Sequence, residues 1–439
     1  GAETVSGFTA KLESELLAVG QTTSARLEDG TSSGPDVTVI YLTDVSHYTS
    51  GGAVDGKRAY SLGTTSCNVG DEPVAWCDNG GGCGFGMGDE DHPAIAQNLY
   101  RLKEGRFEQI GMSWLKHGFV STNSFDSNCG SCQQPPAGGD QLGVGCTDAY
   151  GSGLNGSRPL GLRSEVNATT GLFPFPYTDM CDVVGCPTAI EQRIQVLQDD
   201  LDPALNPGAL YYMEGQYVTG DDALEGNGLN NASHRRATVN GSTYVIGLTG
   251  PTVREQSALY AWQANDPGVE IVDVDVGNLS VGVPNQRFEA ARRVLPIAGG
   301  AYHYEISIHN LNSDRSAGGL LVEFPQAAAI ANLGFHDVDH HSGEPYSTAD
   351  WTSAVTEGGS GVHWFTDAFA ADPDANALRW GTTFTFRFDA DRPPDGAAFL
   401  LELFKPGIPA TVPIPFAGVT VFSDGFESGT TGAWDELSP

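Results

Sequence analysis

The chain has 439 residues, of which 40% are hydrophobic and 18% charged, and it carries a formal net charge of −33. That composition belongs to a folded protein rather than a disordered one, and the length suggests two domains or three. The acid excess, with no cluster of Lys or Arg, excludes a nucleic-acid partner, because phosphate backbones are held by clustered cations.

Residues 1–35 read as an extended or weakly helical arm that ends in a loop. "DVTVIYLTDV" (36–45) is β-branched and alternating, the pattern of a half-buried strand. "AQNLYRLKEGRFEQIGMSWLKHGF" (96–119) predicts a hairpin, two strands around the tight turn Glu104-Gly105. An irregular stretch follows from Ser121 to about Pro187, and "TAIEQRIQVLQDDL" (188–201) is weakly helical. Strands resume at "ALYYMEGQYV", "STYVIGL" and "SALYAWQA". Beyond Pro267 strands come at regular spacing: "VEIVDVDVG", "AYHYEISIHNLN", "GLLVEFP", "ALRWGTTFTFRFDA" and "AAFLLELF". The expected fold is therefore all-β. A Cys-rich irregular β domain (36–266) precedes an immunoglobulin-like β-sandwich (267–408), and a tail rich in Pro, Gly, Ser and Thr (409–439) ends the chain.

Eight cysteines, Cys67, Cys77, Cys83, Cys129, Cys132, Cys146, Cys181 and Cys186, all fall in the first 190 residues. They lack zinc-ribbon spacing, and Cys129-Gly-Ser-Cys132 sits in a Gly/Asn/Gln/Pro loop rather than opening a helix. Four disulfides in an oxidising compartment are expected, with the pairing open. They would order a loop region whose own hydrophobic content is too small. No apolar run approaches the ~20 residues of a membrane span. The opening "GAETVSG" has the look of an end left by signal cleavage after a small residue, so secretion is expected.

Several blocks carry a resemblance: "TTSCNVGDEPVAWC", "HPAIAQNLYRLKEGRFEQIGMSWLKHGF", "GFHDVDHHSGEP" and "NALRWGTTFTFRFDADRPP". They resemble blocks of large secreted bacterial proteins, and "DGFESGTTGAW" is similar to the tail of many such proteins. The resemblance implies secretion and a two-part architecture; it brings no activity with it.

Candidate chemistry concentrates in three places. In "GFHDVDHHSGEP" (334–345), read as a strand, Asp337, Asp339 and His341 fall on one face and His336 on the other, with Glu344 beyond. Two carboxylates and an imidazole suit a divalent metal, calcium or less readily copper or zinc. A polar strand end needs no metal and stands as the other reading. In "YHYEISIHN", Tyr302, Tyr304, Ile306 and Ile308 face inward, which leaves His303, Glu305, Ser307 and His309 on an exposed polar face. His92 and His117 flank the predicted hairpin, and a hairpin's ends lie close, so these two should converge, with Asp89, Glu90 and Asp91 nearby. Trp351, Trp364 and Trp380 are possible sugar platforms. Phe422, Phe426 and Trp434 would anchor the tail, on its own sandwich or on a neighbouring subunit by strand addition.

Two functions follow. One is a secreted structural protein, a subunit of an extracellular filament, surface layer or adhesive matrix, contacting itself head-to-tail through its terminal arms. Contact with a cell surface or polysaccharide belongs to this reading. The other is a secreted metal-dependent enzyme acting on an extracellular polymer, its metal held by His92 and His117 or by the 336–341 cluster.

Overall fold

The computed structural model describes residues 33–77, 92–157, 160–276 and 285–418. Strands take 43% of the chain and helices 8%, so the fold is all-β. The first part contributes β1 (Val37–His47), β2 (Lys57–Asn68), β3 (Val74–Ala75), β4 (Ala94–Lys103), β5 (Arg106–Met112), β6 (Leu115–His117) and β7 (Ser124–Phe125). It continues with β8 (Gln141–Leu142), β9 (Cys146–Tyr150), β10 (Leu160–Gly161), β11 (Ile194–Leu197), β12 (Leu210–Val218), β13 (Ala232–Val239) and β14 (Ile246–Val253). Twelve of these form one sheet, whose spine runs β14-β13-β12-β4-β5-β11-β2-β9-β7. The β4–β5 hairpin turns where the sequence places it: Glu104 (φ 53°) and Gly105 (φ 80°) both adopt the left-handed backbone of a tight two-residue turn.

The second part adds β15 (Glu270–Asp275), β16 (Arg287–Ile297), β17 (Ala301–Asn310), β18 (Ala317–Glu323) and β19 (Ile330–His336). Then come β20 (Thr352–Val355), β21 (Gly361–Phe365), β22 (Thr382–Ala390), β23 (Ala398–Leu403) and β24 (Thr411–Pro413). They make two five-stranded antiparallel sheets, β15-β16-β17-β22-β19 and β20-β21-β18-β23-β24. The two sheets share one core, in which Phe288, Tyr304, Ile306, Trp364, Phe386 and Leu401 are buried. Trp351, Trp364 and Trp380 are buried with it or at the seam described below, so none offers a ring to a sugar.

Two segments differ from expectation. Within "TAIEQRIQVLQDDL", the helix is confined to Gln198–Leu201, and Ile194–Leu197 is a strand because pairing with β2 and β5 outweighs a weak local helix preference. "SALYAWQA" is helical at Tyr260–Asn265, where Trp262 fills a buried cluster with Tyr100 and Phe107.

Period-2 alternation makes the polar face of β17 polar, but that face is not exposed: Glu305, Ser307 and His309 are buried. The sandwich lays the face onto the β4–β5 side of the large sheet. Ser307 Oγ and Thr385 Oγ1 both donate to the Phe107 carbonyl, at 3.0 and 2.7 Å. The Thr383 amide donates to Gln109 Oε1 at 2.7 Å, and Arg106 pairs with Glu305 at 2.8 Å. The expected solvent face is thus a seam between the sandwich and the large sheet.

Three disulfides, Cys67–Cys129, Cys132–Cys146 and Cys181–Cys186, staple the irregular region, and Cys77 is disulfide-bonded too. Cys83 lies outside the described residues, as do Asp89, Glu90, Asp91, Phe422, Phe426 and Trp434. Such bonds belong to an oxidising environment. No helix among the described residues is long and apolar enough to cross a membrane.

Candidate functional site

The segment 334–345 closes the seam. Strand β19 stops at His336, so the alternation expected through His341 does not continue; the chain instead crosses to the first part. His336 Nε2 donates to the Gln109 carbonyl at 3.0 Å, and Asp337 accepts from Asn376 Nδ2 at 2.5 Å. His341 Nε2 donates to the Arg193 carbonyl at 2.8 Å, while the Ser342 hydroxyl lies 3.3 Å from Nδ1. The Ser342 carbonyl also lies 3.2 Å from Nδ1, so both ring nitrogens face carbonyl acceptors, yet burial outweighs these hydrogen bonds and pushes the imidazole down to about 4. Glu344 accepts from the backbone amides of Arg163 and Ser164, at 2.7 and 3.2 Å.

Arg163, which the sequence did not single out, is the hub. Its guanidinium donates to the carbonyls of Ser113 (2.8 Å), Gly381 (3.2 Å) and Gln97 (3.0 Å) and to Asn98 Oδ1 (2.9 Å). Asn98 Nδ2 and the Tyr100 hydroxyl then donate to Glu214 Oε1, at 2.8 and 2.9 Å, and Glu214 Oε2 accepts from the Ala258 amide at 2.6 Å. Gly381 is at φ +68°, and a Cβ there would stand 2.9 Å from the Arg163 guanidinium, so both conformation and space require glycine. The one available signal was scarcity: 22 Lys and Arg in the whole chain, one of them in the apolar loop "PLGLRSE".

Beside this seam lies a cleft of about 130 Å³, the place where the predicted residues gather. Ile110, Met112 and Val338 contribute apolar walls, and Lys57, Asp200, His336, Asp337, Asp339 and His341 also line it. Burial raises the Asp337 carboxyl to about 6 against the Asn376 hydrogen bond and nearby His336, with Asp350 and Asp339 adding to the rise. Burial also raises Glu108, but His336 and Arg101 outweigh it and hold that carboxyl below its ordinary value. The cleft thus sets a carboxyl raised to about 6 beside an apolar wall. Among the described residues, no group of three or more His, Cys, Asp or Glu side chains is placed to hold a metal ion.

His92 and His117 do converge. His92 Nε2 lies 2.9 Å from His117 Nδ1, and both rings are buried. Phe173 lies against both imidazoles, and Tyr177 stacks on His117 at 3.6 Å between centroids. Burial, with His92 and Lys116 adding positive charge nearby, holds the His117 imidazole well below its usual value. A Cβ on Gly161 would come within 2.6 Å of His117 Nε2, so the pair sits in a close-fitting apolar box.

No protein-family model matches the chain, and no curated protein matches it.

Proposed function

We propose that the protein is a secreted structural subunit that joins copies of itself head-to-tail by strand addition, with residues 419–439 of one copy pairing along β20 of the next. One observation carries this reading: β20 is an undefended edge, and the described chain leaves the sandwich at the opposite edge. All four residues of β20, Thr352, Ser353, Ala354 and Val355, are exposed, neutral and paired on one side with β21 without a bulge. The sandwich's other edges carry the usual defences. Asp273 and Asp275 line β15, a bulge at Ala331/Gly334 interrupts β19, and β24 is three residues ending in proline. Past β24, the Ala417 amide bonds Glu270 on β15, so the C-terminal segment departs from the β15/β24 side. Five strands at ~4.8 Å spacing separate donor and acceptor by about 19 Å. Two different surfaces on opposite edges make a heterologous contact, which propagates instead of closing into a dimer.

Sedimentation and electron microscopy of three proteins test the proposal. The full chain should polymerise, whereas truncation after Gly418 and the edge variant Ser353→Lys/Val355→Lys should each stay monomeric. Mixing the two defective proteins should yield heterodimers only, since one keeps the acceptor and the other the donor. Polymers formed by the truncated chain would overturn the reading.

A second reading, an enzyme acting at the seam cleft, is favoured by the Asp337 carboxyl, raised by burial to about 6, lining the cleft with His336. One copper, zinc or iron per chain after dialysis, lost in a His336→Ala/Asp337→Ala variant, would move the assignment to it.

A further inference from the structure

His303 opens the polar row of β17 and, unlike Glu305, Ser307 and His309, is only half-buried. Both of its ring nitrogens face carboxylates. Nδ1 lies 2.5 Å from Asp389 Oδ1 on β22, and Nε2 lies 3.0 Å from Glu305 Oε1. An ionised carboxylate only accepts, so both contacts are hydrogen bonds only when the ring carries two protons. Asp389 is held ionised: burial works against it, but hydrogen bonds from Asn332 and His303 keep its carboxyl below the ordinary value. A neutral ring has one N–H for the two carboxylates and turns a lone pair on the other.

Each carboxylate is tied to a further strand. Glu305 Oε1 accepts from Arg106 of β5 across the seam, Nη2 at 2.8 Å and Nε at 3.1 Å. Asp389 Oδ2 accepts from Asn332 Nδ2 at 2.6 Å. Asn332 stands in the bulge of β19 at φ 54°, and β19 leads straight into the segment that closes the seam. The other charged groups around the ring come from four places. Arg293 of β16 lies opposite Glu305 and pairs with Asp266 at 2.7 Å, while Arg387 of β22 lies opposite Glu305 and Gly334. Glu104 and Glu108 act on Arg106 from the β4–β5 hairpin, and Asp391 and Arg392, past the end of β22, lie 4.0 Å from each other. The cross-strand neighbour of His303 on β16 is the neutral Leu295.

We propose that His303 is a pH-sensitive latch. As an imidazolium it ties Asp389, and through it Asn332 of the bulged strand β19, to Glu305 and Arg106 at the seam. As a neutral ring it lets Asp389 go. Asp389 is the contact released because its side chain is 17% exposed against 6% for Glu305, which also keeps Arg106. Burial alone would make the ring harder to protonate, but the hydrogen bonds to Asp389 and Glu305 outweigh it and raise its pKa above the ordinary value. The latch therefore stabilises fully below the unfolded value of about 6.5 and is lost as the pH rises through the higher folded value. It acts independently of strand addition at β20.

An NMR titration of the full chain tests it, with the His303 ring signal assigned by its loss in His303→Gln. Its midpoint should fall above pH 6.5, and the Asn332 side-chain amide should shift with the same midpoint. Asp389→Asn, which keeps the size and removes the charge, should weaken proton binding by the ring at least about threefold. The wild type should melt about one degree above His303→Gln at pH 6 and level with it at pH 9. A midpoint at or below 6.5, or an Asn332 amide that ignores it, overturns the proposal. An equal advantage of the wild type at both pH values would leave His303 a packing role only and overturns it too. If His303→Gln fails to fold, the ring signal that moves in Asp389→Asn decides.

Discussion

Arg163 shows how much one side chain can hold. Its guanidinium meets four acceptors from strands and loops of both parts, and no carboxylate contacts it directly. Replacing it with Met would strand those acceptors in the interior, and a cost of about 3–5 kcal/mol is expected in urea unfolding. His341 is one of several buried histidines, with His340 and His117, that tie stability to acid pH. Its folded pKa, near 4, lies below the unfolded value of about 6.5, so the unfolded chain takes up a proton that the native protein refuses. The stabilisation is complete above pH 6.5 and is lost as the pH falls toward 4, by about 3 kcal/mol. Asp337, raised to about 6, acts in the opposite sense between pH 6 and 4 and offsets part of the loss. His341→Gln should be less stable at pH 7 yet show a flatter stability profile from pH 6.5 to 4, measured by urea titration across that range. An unchanged slope would mean that other buried histidines carry the effect.

At the scale of elements, the hairpin turn and the disulfides give separable tests. Glu104 adopts a left-handed backbone that Asn or Gly tolerates better, so Glu104→Asn should stabilise by about 0.5 kcal/mol. Cys67–Cys129 spans 62 residues and Cys181–Cys186 only 5. Loop-closure entropy then assigns about 4 kcal/mol to the first and about 2 to the second. Paired Cys→Ser variants should differ in melting midpoint in that order. Strand positions were legible in the sequence wherever alternation was strong, as in β17, where Tyr304, Ile306 and Ile308 do point inward. What covers the other face was not legible. A row of His, Glu and Ser reads the same whether it meets water or the Phe107 carbonyl and Arg106 of another sheet. The same limit explains the histidines of 334–345. Their clustering marked a special place, but the partners that engage them, Gln109 and Arg193, are more than 140 residues away.

For the molecule as a whole, the seam predicts cooperative behaviour. Tyr100, Phe107 and Trp262 from the first part share a buried cluster with Ala291 of β16, and the Arg163 network runs through the same interface. Calorimetry should show one unfolding transition, with Arg163→Met lowering its midpoint without splitting it. Two resolved peaks in the wild type would mean that the parts melt independently and that the seam is weaker than its contacts suggest.

The seam also bears on how such a protein can change over generations. A sandwich exchanged for one from another chain would arrive without the Thr383, Thr385 and Ser307 donors that Phe107 and Gln109 receive. It would also lack the Gly381 carbonyl that Arg163 needs. Recombination at the boundary between the parts is therefore penalised, and the two should be inherited as a pair. Variation at β20 would cost the fold little, because all four of its residues face solvent.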